Sequence, residues 1–95
     1  MAHIRFGWDK EKNLANHKKH GISFEEAQSV FVDENALIIH DPDHSGDEDR
    51  FILLGLSASI RLVVVCHCYR EDYDIIRIIS ARKATRIEQK RYWKR

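Results

Sequence analysis

Four arginines stand where a sheet would hold them. Arg61, Arg70, Arg77 and Arg82 begin, end or interrupt apolar runs instead of filling a polar surface stretch. An arginine fixed on a strand presents a planar fork of donors suited to phosphate. The competing use is an ion pair with an acid such as Glu71 or Asp74. His17 and His20 fall on one face of a helical run, but zinc needs more ligands, and no further His or Cys pair at zinc spacing supplies them. Cys66, His67 and Cys68 look like a ligand run, yet strand alternation sends His67 to the face opposite both cysteines. A bridge between residues i and i+2 would distort the backbone, so the cysteines read as reduced packing residues of a cytosolic protein. Asp41, Asp43, Asp47, Glu48 and Asp49 lack the ligand order of a calcium loop and read as a solvated loop. No metal and no cofactor are expected, and no Walker loop, dinucleotide fingerprint or nucleophile elbow occurs.

Charge is polarised along the chain. The formal net charge is +1, but residues 21–49 hold nine acids and no Lys or Arg, whereas residues 51–95 hold ten basic and four acidic side chains. A basic face attracts phosphate, and an acidic face suits a basic partner. The basic end includes Lys83, Arg86, Lys90, Arg91, Lys94 and Arg95, with Tyr92 and Trp93 interleaved. Cations of this kind bind a phosphate backbone and aromatics stack on bases. The alternative is that Ile87 and Trp93 pack on the sheet while the charges face water. The core is favoured for Trp93, and Tyr92 is left open.

Several elements must position these groups. Ile4 to Trp8 reads as a short strand, and Asp9 caps a helix over Lys10 to Lys19 with Leu14 as its main apolar anchor. Gly21 sits where a left-handed residue ends a helix. Ser23 and Glu26 form a capping box that opens a second helix with Phe24, Ala27, Val30 and Phe31 on its apolar face. Strands follow at Ala36 to His40, Phe51 to Leu56, Arg61 to Tyr69 and Ile75 to Ala81. The β-branched Val63-Val64-Val65 suggests a central strand covered on both faces. If Arg70 opposes Ile75 across a tight turn, then Cys68 opposes Arg77. Arg70 and Arg77 would then share a face, and Arg82 would leave from the other. Thr85 and Glu88 form a capping box for the last helix.

The order β-α-α-β-β-β-β-α implies an α+β fold, a single antiparallel sheet packed by helices. The 95 residues make one domain, 1–95, with a thin core whose apolar surface a partner would extend. No apolar run reaches membrane-spanning length, and the opening residues lack the apolar core of a signal peptide, so a cytoplasmic location is expected.

The residues also resemble a known family. Phe6-Gly7-Trp8-Asp9 with Lys12, then Asn16-His17-Lys18-Lys19-His20-Gly21-Ile22-Ser23-Phe24-Glu25-Glu26-Ala27, resembles the opening of BrnT-type toxins. Asp41-Pro42-Asp43-His44 before Arg50-Phe51, Ile76 through Thr85, and Glu88 through Tyr92 are similar to the same family in order and spacing. The resemblance covers nearly the whole chain. It implies a RelE-like fold and a type II toxin–antitoxin pair, with a BrnA-type, ribbon-helix-helix antitoxin in a heterotetramer built on an antitoxin dimer. It also implies an endoribonuclease that works without metal and stops translation.

Such an enzyme lets the ribose 2′-OH attack the adjacent phosphate, and it needs a base, an acid and cations for the phosphorane. By resemblance, Arg70 and Arg82 occupy the places of functional arginines and are the expected phosphate clamps, with Arg77 a third. Lys19, His17 and His20 come from the helix-end motif, where a histidine can move protons near neutral pH. Tyr92 is the other acid or base candidate, since RelE relatives use a C-terminal tyrosine. Trp8 either stacks a base or packs in the core. Lys83, Arg86, Lys90 and Arg91 are expected to hold RNA. The alternative is a non-catalytic antitoxin-binding module, a degenerate toxin of the same fold.

Overall fold

A computed structural model describes residues 4–40, 50–70 and 74–94. Residues 1–3, the acidic stretch 41–49, residues 71–73 and Arg95 lie outside the described residues. The elements are β1 (Arg5–Gly7), α1 (Lys10–His20), α2 (Phe24–Ser29), a 3-10 turn (Val30–Val32), β2 (Leu37–His40), β3 (Phe51–Leu56), β4 (Leu62–Arg70), β5 (Ile75–Lys83) and α3 (Arg86–Trp93). Class and order are those expected from sequence. The sheet runs β1-β5-β4-β3-β2, and the expectation of purely antiparallel pairing needs one correction. β1 lies parallel to β5, pairing Arg5 with Ile75 and Gly7 with Arg77. The two intervening helices carry the chain across the sheet before it turns back, which leaves the far edge of β5 open to β1.

β4 is the middle strand, and Val63, Val64 and Val65 are all buried because both faces of the sheet are covered. On one face Val63, Val65, Leu53, Ile78 and Ala81 meet Ile22, Phe24, Ala27 and Val30 from the α1–α2 side. On the other, Leu54, Leu62 and Val64 meet Ala84 and Tyr92 of the C-terminal segment.

The capping chemistry fixes both helix ends. Asp9 accepts from the N–H groups of Glu11 and Lys12. Gly21 closes α1 at φ 74°, a left-handed conformation that costs glycine little, and its N–H donates to His17 O. Leu14 is not the anchor of α1: it is 72% exposed. The helix is turned so that Asn16 faces inward instead, donating to Ile22 O and Ala81 O and accepting from Ala81 N–H. Asn13 likewise caps Phe24 N–H and donates to Glu25. A largely polar helix is thus held by two asparagines that satisfy backbone groups.

The capping box expected at Ser23 is half made. Ser23 Oγ accepts from Glu26 N–H, but the Glu26 carboxylate accepts from Arg61 at 2.6 and 2.7 Å and from Ser57 Oγ at 2.7 Å. Arg61 also donates to Gly21 O, so this arginine ties the start of β4 to the α1–α2 turn. In α3 the box is complete, with Thr85 and Glu88 each accepting from the other's N–H.

Candidate functional site

The antiparallel register of β4 and β5 sets where the arginines go. Arg70 opposes Ile75 and Cys68 opposes Arg77, as the tight-turn reading requires. Arg70 and Arg77 are therefore diagonal neighbours on one face, with Cβ atoms roughly 7–8 Å apart. Further along, Cys66 opposes Ser80 while His67 opposes Ile78, so Ile79 is a bulge with no partner. One extra residue reverses the alternation. Arg82, opposite Val64, thus lies on the same face as Arg77, which corrects the expectation that it leaves from the other side.

Arg70 and Arg77 line a cleft of about 570 Å³ together with Gly7, Trp8 and Ile75. Trp8 follows directly on Gly7, which β1 pairs with Arg77. Its indole stands edge-on to Phe24, with centroids 6.1 Å apart, and also lines the cleft. The two alternatives for Trp8 are not exclusive: it packs on the core and offers surface to a ligand. Two arginines lining one cleft from one face offer their donors to an anion. Among the described residues no carboxylate pairs with Arg77.

The remaining expected site residues lie elsewhere. Arg82 grips Glu88 with two hydrogen bonds, 2.8 Å to Oε1 and 3.0 Å to Oε2. These bonds, together with the Thr85 N–H, bring the Glu88 carboxyl down to about 2, and the same pairing raises Arg82. The fork expected to clamp phosphate is here fastening β5 to α3. Tyr92 is buried, and its hydroxyl donates to Asp33 Oδ2 at 2.6 Å. That oxygen also accepts the N–H of Leu56, which lies on β3 just past the point where β2 begins to pair. Tyr92 therefore closes α3 against the sheet edge. Its neighbour Trp93, favoured for the core, is 66% exposed, and Ile87 is 80% exposed. The cap at Thr85 and the Arg82–Glu88 fork set the rotation of α3, which turns Tyr92 in and Trp93 out.

His17, Lys19 and His20 lie in the last turn of α1. That end is fixed by Asn16 to Ala81 and by Gly21 to Arg61, near the start of β4 and the end of β5. It is at the opposite end of the sheet from Arg70 and on the opposite face, so these residues do not join the cleft. Lys83, Arg86, Lys90 and Arg91 are exposed on and before α3, also away from it. His67 points to the face opposite Cys66 and Cys68, as alternation requires. It is fully buried against Phe31, Phe51 and Tyr69, and burial lowers its pKa from the usual imidazole value. Asp33 and the bulge at Ile79 carry much of this arrangement, and nothing in their local sequence marks either one.

A family model described as "Ribonuclease toxin, BrnT, of type II toxin-antitoxin system" matches residues 8–88. Among solved structures, the 1.1 Å crystal structure of the Brucella abortus ribonuclease toxin BrnT is similar, with a TM-score of 0.68 at 20% identity. The match covers 87% of this chain and 99% of that one. At that identity the likeness speaks for the fold. Among curated proteins none matches.

Proposed function

The chain belongs to the BrnT family of ribonuclease toxins of type II toxin–antitoxin systems, and from that premise we propose that it cleaves RNA in the cleft formed by Trp8, Arg70 and Arg77. The observation that carries this reading is the convergence of two arginines and a tryptophan at one end of the sheet. The ribose 2′-OH attacks the adjacent phosphorus and gives its proton to water, and the P–O5′ bond breaks to leave a 2′,3′-cyclic phosphate and a 5′-hydroxyl whose oxygen takes its proton from water. Arg70 and Arg77 hold that phosphate and take up the charge that grows on its oxygens. Trp8 stacks an adjacent base and holds the backbone in register. The two guanidinium groups supply the positive charge that the phosphorane needs, so the reaction runs without a metal ion. Cleavage stops translation, and the protein acts in the cytoplasm. Its antitoxin is a BrnA-like ribbon-helix-helix protein that binds as a dimer and holds two toxin chains in a heterotetramer.

The roles first expected of Arg82 and Tyr92 are reassigned to the fold in this reading. The histidines in the last turn of α1 likewise take no part in the cleft.

The test is cleavage of purified RNA in the presence of a chelator, comparing the native chain with Arg70→Ala, Arg77→Ala and Trp8→Ala after circular dichroism shows equal folding. Each arginine variant loses about a hundredfold or more in rate, the scale of removing one transition-state donor. Native rates in both arginine variants would move the site elsewhere. If the native chain cuts RNA only on translating ribosomes, the same variants are compared there. Cleavage in neither assay would leave the antitoxin-binding module as the reading.

A further inference from the structure

A second surface lies at the other end of the sheet. Leu62 and Arg70 stand eight residue steps apart on β4, roughly 26 Å at strand rise. At the Leu62 end, Trp93 forms a wall between two clefts. One, of about 520 Å³, is rimmed by Arg86, Lys90 and Lys94. The other, of about 360 Å³, is lined by Ile60 and Lys83 among others. Trp93 is 66% exposed and Ile60 is 81% exposed.

Ile60 is also strained. It adopts φ 59° in the β3–β4 turn, where Ser57 N–H donates to Arg61 O and Ile60 N–H donates to Ser57 O. A β-branched residue is a poor choice for left-handed backbone, and glycine would adopt it freely. The fold makes no use of this side chain, because it stands in solvent beside Trp93. An outlier that the packing does not need points to a role in binding.

We propose that this face, with Trp93 and Ile60 as anchors and Arg86, Lys90, Lys94 and Lys83 as rim, docks an acidic polypeptide segment carrying aliphatic side chains. The charge of the rim selects an acidic occupant. The apolar anchors select a polypeptide over RNA, because the exposed aliphatic side chain of Ile60 offers nothing to a phosphate or a base edge. An apolar patch with a charged rim is the common anatomy of a protein interface. The assignment of that segment to an antitoxin rests on the toxin–antitoxin reading. The surface itself does not, and it is separate from the Arg70–Arg77 cleft.

The probe is a labelled synthetic acidic helical peptide with leucines at every third or fourth position, titrated into the full chain and followed by anisotropy. A control peptide of equal charge has serine at each leucine, and a single-stranded RNA oligonucleotide is the competitor. The leucine peptide binds about tenfold tighter than the serine peptide, and Trp93→Ser or Ile60→Gly each removes most of that difference. Ile60→Gly relieves backbone strain, so a loss of binding in it is not a loss of folding. RNA cleavage is unchanged in both variants, which separates failure of this proposal from failure of the cleft. Equal binding of the two peptides, or binding of neither, overturns the proposal. Displacement of the peptide by RNA, with Trp93→Ser weakening the RNA, also overturns it and makes this a nucleic-acid surface.

Discussion

Arg77 and Arg82 stand five positions apart on β5 yet share one face of the sheet, because Ile79 between them has no partner on β4. Strict alternation would have put them on opposite faces. The bulge brings Arg82 to the side where α3 packs, and there Glu88 receives it. The same face therefore carries two arginines with different duties: Arg77 opens on the cleft with Trp8 and Arg70, and Arg82 secures the helix.

The Arg82–Glu88 pair makes stability depend on acid. Glu88 ionises at about 2 in the folded chain against an ordinary value of 4.5. A carboxyl depressed by folding contributes stability that is complete above its unfolded value and is lost as pH falls through the folded one. The pair's contribution thus declines from about pH 4.5 toward 2. Arg82 is 42% exposed, so solvent screens the pair and Arg82→Ala costs about 1 kcal/mol at pH 7. Urea unfolding of native and Arg82→Ala chains at several pH values checks both points. Their midpoints converge as the pH approaches 2, and curves that stay a constant distance apart would contradict the assignment.

Tyr92 is the second latch. Phenylalanine at this position keeps the ring packed but removes the hydroxyl that donates to Asp33 Oδ2. Tyr92→Phe therefore lowers stability by about 1–2 kcal/mol, the scale of a lost buried hydrogen bond to a charged group. The rate of RNA cleavage per folded molecule stays unchanged. A fall in rate of a hundredfold with stability intact would instead return Tyr92 to the chemistry.

These particulars mark what a sequence discloses. The pairing of Arg70 with Ile75 and of Cys68 with Arg77 follows from the length of a turn and the period of a strand, both local quantities. The bulge does not, because every residue from Ile75 to Ala81 suits a strand and none announces a missing partner. The exchange of Tyr92 for Trp93 in the core comes from about 100° of helix rotation, the step between consecutive residues, and it is decided by partners outside α3. Asp33 is 59 positions from Tyr92, and no pattern within either segment joins them. Hydropathy points to Leu14 as the anchor, but Asn16 donates to the carbonyls of Ile22 and Ala81 and so turns inward.

Buried His67 makes a separate pH prediction. Burial lowers its pKa below the ordinary 6.5, so the folded chain holds it neutral while the unfolded chain takes up a proton first. Here the base is depressed by folding. Stability is therefore complete above about pH 6.5 and declines below it, by at most about 1.36 kcal/mol per pH unit. Its near neighbours, Val65 O and the Tyr69 hydroxyl, each at 3.4 Å, carry no negative charge that would offset the proton. His67→Leu removes the decline below pH 6.5 that this burial predicts for the native chain. Parallel pH profiles for the two chains would refute the assignment.

Gly55 tests how closely the 3-10 turn seats on β3. A Cβ there would stand 2.8 Å from Val30 Cγ1, 2.9 Å from Ala36 Cβ and 3.0 Å from Asp33 Oδ2. Val30 is fully buried and Ala36 packs against the same cluster, so neither can yield without opening the core. The third neighbour is the oxygen that receives both Tyr92 and Leu56, and displacing it would strain the α3 latch as well. Gly55→Ala therefore costs about 2–3 kcal/mol, the range of overpacking in a well-filled core. The damage is coupled to the latch: in the Gly55→Ala background, Tyr92→Phe costs less than it does alone. A double-mutant cycle by urea unfolding measures this, and strictly additive losses would show that the turn moves without disturbing Asp33.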